Sequence, residues 1–68
     1  MIEVHINGQH RTLPEGSTVR SLLEDLGIAD RDGTAVAVNM EVIPRGAHLS
    51  TVLRAGDRIE IVQAVGGG

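Results

Sequence analysis

The chain has 68 residues, a net charge of −3 and 41% hydrophobic residues, but no Cys, Phe, Trp or Tyr. A chain of this length builds one domain with a small core, because such a domain buries only about 60% of the surface of its unfolded chain. The missing cysteine excludes disulfides, thiolate metal sites and a cysteine nucleophile. All six basic residues are arginine, which excludes a phosphate-loop lysine and a Schiff-base lysine.

Composition also argues against nucleic-acid and membrane partners. A nucleic-acid binder needs cations for phosphate and usually aromatic rings for exposed bases. No stretch approaches the roughly 20 apolar residues that a membrane-spanning helix needs, and the first residues lack the basic and then apolar run of a signal peptide. We therefore expect a cytoplasmic protein that is monomeric when free.

The first segment predicts a β-hairpin. Apolar and polar residues alternate from Ile2 to Ile6, which is typical of a strand with one buried face. Asn7-Gly8 predicts a two-residue turn, because both residues tolerate positive φ. The resulting register pairs Ile2 with Leu13 and places Leu13 on the buried face.

A helix is predicted after the break at residues 14–16. Thr18 is its expected N-cap and Gly27 its left-handed C-cap. Apolar residues recur between them at i, i+3, i+4 and i+7, which predicts one face that packs on a sheet. These residues are Val19, Leu22, Leu23 and Leu26.

The second half of the chain predicts three more strands and one helical turn. Residues 35–39 carry valines on one face and alanines on the other, and Val42-Ile43 is a short strand before a proline. Leu49 and Val52 within residues 46–53 have the spacing of a single helical turn. Residues 58–62 alternate as the last strand.

One helix and one sheet predict an α+β fold that resembles the ubiquitin-like β-grasp, with a mixed sheet of four to five strands and one covering helix. A last strand that lies parallel to the first is taken from that fold and not from the pattern. We expect the β-grasp domain to span residues 1–65 and a flexible glycine tail to span residues 66–68.

No catalytic residue is predicted, because the three histidines are the only side chains that titrate near neutral pH and none belongs to an acid–base or nucleophile motif. The hairpin register places His5 opposite His10 on the outer face, with Glu3 nearby. A solvated polar face is the simpler interpretation. A Zn²⁺ or Ni²⁺ site is the alternative, although a stable site needs a third or fourth ligand.

The last residues, Gly66, Gly67 and Gly68, have no side chains to pack and high chain entropy. The functional group that they supply is the terminal α-carboxylate, which is ionised at neutral pH because its ordinary pKa is about 3.3–3.7. Composition alone leaves two interpretations open. The glycines are either a flexible linker or a tail whose carboxylate is activated by another enzyme.

Three segments together resemble the ThiS sulfur carriers of thiamine thiazole synthesis, in the ThiS/MoaD ubiquitin-like family. They are Thr18-Val19 with Leu22-Leu23, residues 36–45, and residues 56–61 before the terminal glycines. The stretch from Val38-Asn39 to Pro44-Arg45 is the most specific. The chain departs from the family pattern at Met40, where many relatives have glycine, and in its third terminal glycine.

The resemblance implies that a ThiF-type enzyme uses ATP and Mg²⁺ to adenylate the terminal glycine. Sulfur supplied through a cysteine desulfurase would then convert the glycine to a thiocarboxylate for thiazole synthase, ThiG. Gly68 would carry the sulfur, with Gly67 as the alternative after trimming. The chain itself would bind no cofactor and would be a protein cosubstrate, not an enzyme.

We expect partners to dock on the sheet face that the helix leaves open. Alternation places small apolar side chains and two charged ones there, although such side chains are also ordinary on surfaces. The predicted docking residues are Ala35, Ala37, Arg58, Glu60, Val62 and Ala64.

Two other functions stay open on the sequence. One is a related carrier for molybdopterin or cysteine synthesis, and the other is a β-grasp protein-interaction module or modifier. A carrier requires Gly67 and Gly68, whereas an interaction module requires only an intact sheet face.

Overall fold

The structure is a computed structural model that describes residues 1–63. Five elements of the sequence prediction lie outside these residues. They are the docking residue Ala64, the domain boundary at residue 65, and the tail residues Gly66, Gly67 and Gly68.

Five strands, one α-helix and one short 3₁₀ helix are formed within residues 1–63. In chain order they are β1 (Ile2–Ile6), β2 (Gln9–Leu13), α1 (Val19–Asp25), β3 (Thr34–Val38), β4 (Glu41–Ile43), the 3₁₀ helix (Arg45–Ala47) and β5 (Arg58–Gln63). No helix in this part of the chain is long and apolar enough to cross a lipid bilayer.

The strands form one mixed sheet in the order β2-β1-β5-β3-β4. The hairpin register is the predicted one, with Ile2 opposite Leu13 and His5 opposite His10. β5 lies in the centre, parallel to β1 and antiparallel to β3. The strand order and the parallel central pair confirm the β-grasp fold.

Helix α1 begins where Thr18 and Ser21 form a reciprocal cap. Thr18 Oγ1 accepts a hydrogen bond from the Ser21 N–H at 3.1 Å, and Ser21 Oγ accepts one from the Thr18 N–H at 2.8 Å. This capping box satisfies two amide groups that have no partner inside the helix. The helix ends before Gly27, whose φ of 76° is the predicted left-handed conformation.

The core lies between α1 and one face of the sheet. It includes Val19, Leu22 and Leu23, as predicted, whereas Leu26 is only partly buried because it caps the end of the helix. The buried apolar residues are Ile2, Val4, Ile6, Leu13, Val19, Leu22, Leu23, Val36, Leu53 and Ile59.

The helical turn predicted within residues 46–53 is formed, since the Ser50 and Thr51 N–H groups donate to the Ala47 carbonyl at 3.2 and 3.0 Å, but Leu49 and Val52 do not form a buried face on it. Leu49 is 75% exposed and Val52 is 50% exposed, while Leu53 is buried. After this turn, residues 52 and 53 run extended beside the start of α1, where Val52 pairs with Thr18 and the Leu53 N–H donates to the Ser17 carbonyl at 2.8 Å. Extended backbone alternates its side chains, so Val52 points outward and Leu53 enters the core.

Candidate functional site

The sheet face opposite α1 carries the predicted docking residues that lie within residues 1–63. Register places Ala35 opposite Val62 and Ala37 opposite Glu60. Val62 is 63% exposed, although most large apolar side chains of β1, β3 and β5 point into the core. We call this surface the outer face and define it by Ala35, Ala37, Val42, Arg58, Glu60 and Val62.

Val42 is the member of the outer face that the sequence prediction missed. It lies on β4 opposite Ala37 and is 71% exposed. Its neighbour Ile43 faces the core, so the alternation of the two residues was the available signal. A strand of only three residues shows this alternation too briefly to assign its faces without the pairing to β3.

Arg58 and Glu60 are both exposed and lie two residues apart on β5, so they share the outer face. Within residues 1–63 neither side chain belongs to a salt bridge. On the helix side of the sheet, by contrast, Arg11 forms a salt bridge with Asp25 at 3.4 Å. The outer face therefore offers one cation and one anion that a partner can meet.

The outer face continues directly into the segment proposed to react. Val62 and Gln63 are the last described residues, and Gln63 pairs with Thr34 of β3. β5 is therefore held to its neighbour up to the final described residue. A partner that covers Val62 stands beside the point where residues 64–68 begin.

His5, His10 and Glu3 come together as the register predicted. The imidazole rings of His5 and His10 meet edge to face with centroids 5.8 Å apart, and His10 Nε2 lies 3.5 Å from Glu3 Oε2. No group of three or more His, Cys, Asp or Glu side chains among the described residues is arranged to hold a metal ion. This cluster lacks the ligand set that a stable zinc site needs.

The adjacent acids Glu24 and Asp25 point to different partners, as expected for neighbours on a helix. Glu24 Oε2 accepts a hydrogen bond from Arg20 Nε at 3.2 Å, and Asp25 pairs with Arg11. The bond to Glu24 raises the pKa of the Arg20 guanidinium, partial burial opposes this, and Asp30 reinforces the increase. These charges tie the helix surface together and form no acid–base pair.

An open groove of about 800 Å³ lies where the hairpin turn, the end of α1 and the end of β5 meet. Ile6, Leu26, Ile28 and Ile61 supply apolar surface. Polar side chains lie along the same groove, namely Asn7, Gln9, His10, Arg11 and Gln63. The groove extends from Asn7 to Gln63, the last described residue of β5.

Comparison with known proteins gives the family. The sequence model of the ThiS family matches residues 4–68. The sulfur carrier protein ThiS of Escherichia coli is 31% identical over 67 residues, which cover 98% of this chain and 100% of that protein. The chain belongs to the ThiS family.

The ThiS fold and its place in longer proteins agree with this assignment. A crystal structure of a thiamine biosynthesis protein, ThiS, from Geobacter metallireducens matches with a TM-score of 0.83 and 32% identity, over 98% of this chain and 100% of that one. A thiazole synthase of Paramagnetospirillum magneticum is 38% identical over 63 residues. That match covers 93% of this chain but only 19% of the synthase, so the ThiS-like chain spans about a fifth of that relative.

Proposed function

We propose that this ThiS-family chain is a sulfur carrier, a protein cosubstrate whose C-terminal glycine carries sulfur for the thiazole ring of thiamine. The observation that carries the proposal is the end-to-end match to a protein named as a sulfur carrier, on a matching fold. Gly68 is the proposed reactive residue and Gly67 the alternative. The cytoplasm is the expected compartment.

The proposed chemistry begins with activation of the carboxylate, because an anionic carboxylate is a poor electrophile. A carboxylate oxygen attacks the α-phosphorus of ATP on a ThiF-type enzyme, and pyrophosphate leaves with its Mg²⁺. A persulfide sulfur supplied through a cysteine desulfurase then attacks the acyl carbon, and AMP leaves. A thiol cleaves the sulfur–sulfur bond of the resulting acyl disulfide and forms a new disulfide with the other sulfur. The product is a thiocarboxylate in which one oxygen has been replaced by sulfur.

In this proposal the domain binds the partner enzyme, and the tail carries the group that reacts. The outer face presents Val42 and Val62 as apolar contacts, with Arg58 and Glu60 beside them to orient a partner. No helix or strand described in residues 1–63 covers this face. A partner bound here would receive residues 64–68 at its own active site.

Thiazole synthase is the proposed acceptor of the sulfur. The support is the Paramagnetospirillum magneticum relative, in which a segment similar to this chain forms part of a protein that is itself named thiazole synthase. Carrier and acceptor joined in one chain would react at a high effective concentration. For this chain the same pairing would occur through the outer face.

Intact-protein mass spectrometry tests the proposal. The chain is incubated with a ThiF-type enzyme, ATP, Mg²⁺ and a sulfur source, and the expected product is heavier by one oxygen-to-sulfur exchange at the last residue. A variant without Gly67 and Gly68 is the control and should fold but stay unmodified. A variant without Gly68 alone decides between the two glycines, since only a reactive Gly67 would accept sulfur there.

Two results would overturn the proposal. One is the absence of any exchange when the same enzyme preparation modifies a known ThiS carrier. The other is a terminal glycine joined by an amide bond to lysine side chains of other proteins, which would make the chain a modifier.

A further inference from the structure

The central strand β5 extends past the end of its partner β1. In the parallel register His5 lies opposite Arg58 and Ile6 opposite Ile59, and the Asn7 N–H donates to the Ile59 carbonyl at 2.9 Å. Asn7 and Gly8 then turn the chain away, with φ values of 50° and 82°. On this side, the backbone of β1 offers β5 no further partner.

Beyond this point the side chain of Asn7 is the hydrogen-bond partner of β5. The Ile61 N–H donates to Asn7 Oδ1 at 2.8 Å, and Asn7 Nδ2 donates to the Ile61 carbonyl oxygen at 3.3 Å. A carboxamide carries the same donor and acceptor as a peptide unit. Asn7 therefore extends the parallel ladder by one more residue of β5.

Turn chemistry alone does not account for this contact. A two-residue hairpin turn needs positive φ at both positions, and glycine meets that requirement without any side chain. The two bonds to Ile61 cross 54 residues of sequence and leave the hairpin. They tie the first turn of the protein to the strand that leads to the proposed reactive tail.

The consequence is mechanical support at the end of β5. Ile61 is held on one side by Val36 of β3 and on the other by Asn7. Among residues 1–63, the last described residue, Gln63, pairs with Thr34 of β3 and has no strand partner on the β1 side. Within the described part of the chain, the Asn7 contact is thus the last point at which β5 is held from both sides.

We propose that Asn7 is a positioning residue for the carrier reaction, because its carboxamide holds β5 in the direction that delivers the C-terminal tail to the activating enzyme. This inference rests on the function proposed above. A loss of this support leaves the last described residues of β5 held by β3 alone, so their positions fluctuate more. Small displacements of a reacting group lower reaction rates strongly, by as much as ~100-fold for a shift of 1 Å.

The chain supplies a matched control in Asn39, which holds the opposite end of β5. It also lies in a two-residue turn, with φ 52°, and its Oδ1 accepts a hydrogen bond from the Arg58 N–H at 3.0 Å. Its Nδ2 donates to Asp57 Oδ1 at 3.0 Å. Asn7→Gly and Asn39→Gly each keep a turn that tolerates positive φ and each remove two side-chain hydrogen bonds. Asn7→Gly removes them near the end of β5, and Asn39→Gly removes them at its start.

The experiment measures kcat and KM for pyrophosphate release by a ThiF-type enzyme, together with amide hydrogen exchange of the full chain. Asn7→Gly should lower kcat by about 5- to 100-fold with KM within about twofold, and should accelerate exchange at Ile61. Asn39→Gly should leave kcat within about twofold of the parent chain. If Asn7 had only a structural role, both variants would lose stability, but kcat would not fall in Asn7→Gly alone.

Three results would overturn the inference while leaving the carrier function intact. They are an unchanged kcat in Asn7→Gly, equal losses of kcat in both variants, or an unchanged exchange rate at the Ile61 amide. If the parent chain itself is not activated by an enzyme that accepts a known ThiS carrier, the proposed function fails, and the role of Asn7 fails with it.

Discussion

Replacement of Val62 by aspartate tests whether the outer face is the docking surface. Full burial of a valine side chain is worth about 1.5–3 kcal/mol relative to leaving it in water. Val62 is 63% exposed, so a partner can still remove about two-thirds of that surface from water. The contact is therefore worth about 1–2 kcal/mol in a complex that covers it completely.

That free energy corresponds to a Kd about 5- to 30-fold weaker for the complex with the adenylating enzyme, and burial of the new carboxylate increases the loss further. The Kd is measured by isothermal titration calorimetry. Leu49→Asp is the matched control, because Leu49 is 75% exposed but lies in the segment between β4 and β5, away from the outer face. Both variants add one negative charge at an exposed apolar position.

Both variants replace an exposed apolar side chain with aspartate. A difference between their Kd values therefore reports the position of the substitution and not its charge or hydrophobicity. Circular dichroism should show that both variants remain folded, since exposed substitutions usually change stability little. A Kd for Val62→Asp equal to that of the parent chain, or equal losses in both variants, would refute the assignment of the outer face.

Three further predictions follow from the structure. Leu22→Ala should lower the free energy of unfolding in urea by about 2–5 kcal/mol because Leu22 is fully buried, and a loss below about 1 kcal/mol would contradict the packing. Met40→Gly should raise it by about 0.5 kcal/mol, since Met40 has φ 70° and relief of that strain exceeds the entropy cost of glycine; a lower urea midpoint would refute this. His5→Ala with His10→Ala should leave activation unchanged, whereas a lost Zn²⁺-binding isotherm would establish a metal site.

Local patterns of the sequence were enough for the first half of the fold. Two-residue turns set hairpin registers, so Asn7-Gly8 predicts which residues of β1 and β2 face the core. The capping residue Thr18 and the apolar spacing likewise predict where α1 begins and which side it buries. These features depend on residues a few positions apart.

Contacts between distant segments explain the failures. The spacing of Leu49 and Val52 fits the helical turn that forms at residues 47–51, but the extended pairing of Val52 with Thr18 directs Leu53 into the core instead. The outward orientation of Val42 depends on its register against β3. The second role of Asn7 became visible only when β5 was placed parallel to β1.

The sequence by itself determined the strand and helix segments, the predicted members of the outer face and the resemblance that points to a terminal glycine. Periodicity and turn chemistry act over a few residues, so they can be recognised in the sequence alone. The tertiary structure decided which strand is central, which face stays open and what supports the end of β5. Those features arise from contacts between segments that are distant in sequence, such as the pairing of β5 with β3 and the hydrogen bonds from Asn7 to Ile61 across 54 residues, and no local pattern encodes them.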